Sequence, residues 1–109
     1  MPTIQDLDRR LTADIAAART PLLAALAEAA RDRPWHYLLF GSLARGTARR
    51  GSDADIAVVG ATGSDRAVAE RAARDACQTL GLAPDVVPWD NLTPAVQAEA
   101  RREGIRCGD

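Results

Sequence analysis

The chain has 109 residues and a formal charge of −1, the length of one small domain, without the basic surplus that a general nucleic-acid binder uses to displace counterions. Apolar residues make up 47% of it, but 23 residues are alanine and only 22 are Leu, Ile, Val or Phe, so the core is predicted to be thin. All 14 basic residues are arginine, which excludes a lysine Schiff base and a phosphate loop built on lysine.

Ile4, Leu7, Leu11 and Ile15 recur at steps of three and four and share one helical face, predicting an amphipathic helix from Ile4 to about Ala18. Thr20 followed by Pro21 predicts an N-cap and first helical position for a second helix, running through Leu22, Leu23, Leu26 and Ala30 and ending before Pro34. Trp35 to Phe40 is apolar on both alternating faces apart from His36, as in a short strand covered on both sides. His36 reads there as a hydrogen-bonded core residue rather than a base. The stretch GSLARGTARRGS is too rich in Gly and Arg for a core element, and ADIAVVG then resumes as a second strand ended by Gly60.

Ser64 is predicted to cap a helix from about Asp65 to Leu80, closed by Gly81, with a buried stripe of Val68, Ala72, Ala76 and Leu80 or neighbouring alanines. Pro84 to Pro88, bracketed by prolines, reads as a short edge strand. A last helix is predicted from about Thr93, with Pro94 at its first position, to Arg102, ended by Gly104. The order ααβ(loop)βαβα predicts an α/β (α+β) fold, a small mixed β-sheet covered by helices, with residues 1–109 as one domain and 1–19 as an extra N-terminal helix.

Cys77 and Cys107 have no second Cys or His at ligand spacing, so buried thiols are expected rather than a zinc site. No apolar run approaches the roughly 20 residues of a membrane span, and the polar start MPTIQDLDRR does not read as a secretory signal. A cytoplasmic protein is expected, with neither a membrane nor nucleic acid as a direct partner.

The chemistry concentrates between Gly41 and Asp55. Gly41 and Ser42 leave the first strand, ten residues intervene, and Asp53 and Asp55 follow at the start of the second. A spacing of two on a strand puts both carboxylates on one face. Side by side they repel, and a divalent cation shared with substrate phosphates removes the repulsion. Glycine lets a phosphate approach the backbone, Ser42 and the amides after it can donate to it, and Arg45 sits within one turn. Asp85, alone charged in its strand, is the candidate third carboxylate, and Asp90, outside the apolar run, is a weaker rival. Arg49 and Arg50 read as solvated loop residues, and Trp35 and Trp89 as packing or interface residues.

GSLARGTARRGSDADIAVV resembles the signature of the polymerase-β type nucleotidyltransferases, Gly-Ser, ten residues, then Asp-x-Asp. With Ala-Arg-Gly after the Gly-Ser-x it is similar to the minimal nucleotidyltransferases, antitoxin partners of HEPN-domain ribonucleases, and the resemblance extends from about Leu22 to Gly104. It implies a polymerase-β-like fold in which Gly41 and Ser42, with Arg45 close by, bind the phosphates of ATP. Asp53, Asp55 and Asp85 would hold two Mg2+ ions, and Asp85 would help activate the attacking hydroxyl. The implied reaction is transfer of AMP from ATP to a tyrosine of a HEPN toxin, with release of pyrophosphate. Two alternatives stay open: adenylyl transfer to a small molecule such as an aminoglycoside, and a non-catalytic antitoxin that acts by binding alone. At this length no helical acceptor domain is expected, so the acceptor would be presented by a partner.

Overall fold

The computed structural model describes residues 3–108. The element order is α1 (Ile4–Ala17), α2 (Arg19–Ala29), β1 (His36–Phe40), α3 (Gly41–Arg45), β2 (Ala54–Val59), α4 (Asp65–Thr79), β3 (Pro84–Pro88), a 3-10 turn over Trp89–Asn91, α5 (Pro94–Glu103) and β4 (Ile105–Cys107). The four strands form a mixed sheet in the order β3-β2-β1-β4. β1 runs antiparallel to both β2 and β4, whereas β2 and β3 are parallel and joined by α4. This is the fold class expected, and β3 takes the edge position that its two prolines permit.

The two faces of the sheet are covered unequally. On one, Tyr37, Leu39, Ile56, Val58 and Val86 pack with Leu22 and Leu26 of α2 and with Ala69, Ala73 and Cys77 of α4. The alanines bring α4 close to the strands, and the Tyr37 hydroxyl donates to the Ala69 carbonyl at 2.7 Å. The other face carries a small cluster of Phe40, Ala57 and Ala100, flanked by Leu38, Trp89, Leu92 and Val96. Among the described residues α5 is the only long helix here, and His36, Leu38 and Val59 of this face stay half-buried.

Several expectations need correction. Thr20 does not cap α2: the helix starts at Arg19 after the single residue Ala18, whose carbonyl accepts the Leu22 amide at 2.9 Å. Pro21 is tolerated because first-turn amides need no intrahelical partner. Ser64 precedes α4 without a side-chain cap; Ala76 and Leu80 pack partly buried against the core as expected, but the fully buried line is the neighbouring Ala69 and Ala73 with Cys77, while Val68 is 50% exposed. His36 lies half-buried on the α5 side of the sheet instead of in the core. The final segment adds β4, a three-residue strand too short to show a period in sequence.

Cys77 and Cys107 are free and buried, and burial pushes both thiols up to about 11. Thr93 caps α5 as expected, accepting the Val96 amide at 3.3 Å. Among the described residues, no helix is long and apolar enough to cross a membrane.

Candidate active site

β1 passes into α3 without a loop, because Gly41 follows Phe40 directly and takes a left-handed φ of 74°. A side chain at that position would be strained by the backbone and would run into the Asp55 carboxylate, lying only 3.0 Å from its Cγ. Only glycine therefore lets Asp55 stand against the start of α3. Ser42, half-buried, comes next, and its carbonyl accepts the Thr47 amide at 2.9 Å, closing the turn behind α3.

The strand register assembles the acids. Phe40 pairs with Asp55 across the antiparallel strands, and Asp55 pairs with Asp85 across the parallel ones. Cross-strand partners share a face, so both carboxylates stand on the side of the sheet that holds Phe40 and α5. Asp53 immediately precedes β2 and adds its charge from two residues away. Burial, then a hydrogen bond with Asp85, then the charges of Asp85 and Asp53 push the Asp55 carboxyl up to about 6. The mutual repulsion that raises Asp55 is the kind of charge crowding a divalent cation relieves. Among the described residues no three such side chains converge as a ready-made metal cage, so the set is a close pair with a third carboxylate alongside.

Arg45 is held elsewhere. Its guanidinium donates to Glu103 Oε2 at 2.9 Å and to Glu99 Oε1 at 3.1 Å, tying α3 to α5. The Glu103 bond raises the Arg45 pKa further and, reciprocally, holds the Glu103 carboxyl below the usual range. Arg45 still lies near enough to Asp55 to offset a small part of its upward shift. The sequence reading missed Glu99 and Glu103; their spacing of four on α5 was the available signal, since it puts both on one helical face. Asp90 lies at the far end of β3 in the 3-10 turn, 3.8 Å from Arg66, away from the other acids. Arg49 and Arg50 are exposed, and the Arg50 amide donates to the Thr12 hydroxyl of α1 at 3.4 Å.

A Gly-Ser turn against a pair of strand carboxylates can present backbone to a phosphate and acids to a cation. Residues 27–107 match the model of the nucleotidyltransferase domain family. The chain belongs to that family. As a nucleotidyltransferase it is similar to a solved structure described as a minimal nucleotidyltransferase, at 31% identity and a TM-score of 0.54, covering 82% of this chain and 88% of the other. It also shares its fold with a chain of a toxin-antitoxin crystal structure solved with AMP-PNP, at 24% identity and a TM-score of 0.57, covering 86% of this chain and 73% of that one. No protein of curated function matches it significantly.

Proposed function

We propose that this nucleotidyltransferase moves AMP from ATP to a protein hydroxyl, as an antitoxin whose acceptor is a tyrosine of a HEPN ribonuclease toxin. The observation that carries the transfer reading is the juxtaposition of Gly41, Asp55 and Asp85, where strand register and a side-chain-free backbone meet at the start of α3. Gly41 and Ser42 receive the phosphates of ATP. Asp53, Asp55 and Asp85 would hold two Mg2+ ions, which when bound would supply charge neutralisation of the triphosphate and of the leaving pyrophosphate.

The crowded acids fit that cation, because nearby Arg45 is bonded to Glu99 and Glu103 rather than to them. Phosphate oxygens would complete the ligand set, as is usual for Mg2+. The acceptor oxygen attacks the α-phosphorus, the bond to the β-phosphate oxygen breaks, pyrophosphate departs, and the hydroxyl proton passes to Asp85. Aligning attacking oxygen, phosphorus and leaving oxygen is the larger part of the catalysis.

The antitoxin role draws on the sequence signature and on the toxin-antitoxin neighbour, a likeness that by itself concerns the fold. The test is incubation with Mg2+ and α-labelled ATP in lysate of the source cells, with Asp53→Ala in parallel. A labelled protein band present with the native chain and absent with the variant supports the reading, and its mass identifies the acceptor. Label only on small molecules would move the assignment to an aminoglycoside-type enzyme. Neutralisation of a toxin by Asp53→Ala as complete as by the native chain would leave a binder.

A further inference from the structure

Four residues along β1 from the carboxylates, about 13 Å at strand rise, the open face of the sheet carries a cavity of about 280 Å3 lined by His36, Leu38, Val59, Trp89, Arg101 and Arg106. His36 pairs with Val59, and Leu38 with Arg106, so these four side chains stand on one face. Leu38 and Val59 make an apolar floor, Trp89 one wall, and the two arginines with His36 the rim.

Among the described residues, no carboxylate lines the groove, in a chain whose overall charge is −1. Both guanidinium groups are steadied from within: Arg101 stacks over the Trp89 ring at 4.9 Å from its centroid, and Arg106 Nε donates to the Gly108 carbonyl at 3.3 Å. Each contact leaves further N–H donors of the fork for another partner. Burial, with Arg106 adding to it, holds His36 below the usual histidine range.

We propose that this groove docks an acidic segment of a partner protein, one apolar side chain seated on Leu38 and Val59 with flanking carboxylates on Arg101 and Arg106. Charge complementarity selects the acidic occupant, and Trp and Arg are the residue types that anchor protein interfaces. The volume, at the lower edge of the usual range for small-molecule pockets, suits a single anchoring side chain. Two arginines are also too short a track for a nucleic-acid strand, which needs a row of phosphate contacts. The groove shares its sheet face with Asp55 and Asp85, so a segment held here belongs to a protein whose neighbouring surface can face the carboxylates. In that respect it deepens the protein-acceptor reading, while the docking itself stands on the groove.

The test is a titration of 15N-labelled protein with a capped peptide of one leucine flanked on each side by two aspartates, following the Trp89 indole N–H, with buried Trp35 as the internal reference. We expect a saturable Trp89 shift, none with a lysine-flanked peptide, and binding weakened about tenfold or more in the Arg101→Ala/Arg106→Ala double variant, as loss of two charge-assisted contacts implies. Val59→Asp, which puts a carboxylate in the floor, is expected to abolish the shift without removing either arginine. No shift with the aspartate peptide, equal shifts with both peptides, or binding indifferent to these variants would overturn the proposal. So would displacement of the peptide by single-stranded oligouridylate. The titration needs no nucleotide, so its failure leaves the AMP-transfer reading intact, and a failed transfer assay leaves the titration standing.

Discussion

Half-buried against Asp85, the Asp55 carboxyl titrates near 6 rather than in the usual carboxylate range. An acid whose folded pKa lies above its unfolded value binds more protons when folded, so the contribution of Asp55 to stability is full below about 4 and is lost as pH rises through 6. An unscreened shift of that size would be worth about 3 kcal/mol, but half-exposure screens much of it, and we expect about 1 kcal/mol. Thermal melts between pH 4 and 7 should show this loss. Asp55→Asn should flatten the profile and raise the melting temperature at pH 7 while abolishing transfer. A variant less stable than the native chain at pH 7 would contradict the repulsion argument. Gly41→Ala should move stability the other way, by about 1–3 kcal/mol, because it strains a left-handed backbone and displaces Asp55. The same melts check it.

The elements differ in how openly the sequence announces them. β1, β2 and α5 are legible because their short apolar runs, glycine stops and Thr-Pro cap each have one local cause. The stripe of α4 is not, because alanines fill two adjacent rows, Ala69 with Ala73 and Ala72 with Ala76, and composition cannot say which one turns inward. Packing selects Ala69, Ala73 and Cys77, one position away from the stripe centred on Val68. Ala73→Leu should therefore cost about 1–3 kcal/mol by overpacking, whereas Val68→Ala should stay within about 0.5 kcal/mol, both read by urea denaturation. Equal effects would put the buried face elsewhere. At the candidate site the Gly-Ser turn and the Asp53/Asp55 pair are readable locally. The pairing of Asp85 with Asp55 depends on how far β3 slides along β2, and the hold of Glu99 and Glu103 on Arg45 depends on where α5 lies. Neither is encoded within a single segment.

Across the whole molecule, burial is concentrated at α2, α4 and the sheet, while α1 has no buried residue and leaves Ile4 82% and Leu7 45% exposed. The described residues extend over 52 × 28 × 19 Å. Deleting residues 1–10 should therefore change stability by less than about 1 kcal/mol, because few apolar contacts are lost. Leu26→Ala, at a fully buried position, should cost about 2–5 kcal/mol. Thermal denaturation of the two variants side by side decides whether α1 belongs to the cooperative core; a deletion as damaging as Leu26→Ala would show that it does.

The account rests most heavily on Asp53, Asp55 and Asp85 as the centre of AMP transfer to protein. Incubation with Mg2+ and α-labelled ATP in lysate of the source cells, comparing the native chain with Asp53→Ala and Asp55→Asn, tests this most directly. The account predicts one labelled acceptor protein with the native chain, pyrophosphate release in step with labelling, and neither with either variant. Label transferred equally by the variants, or no protein label under conditions where the native chain is folded and binds ATP, would contradict it.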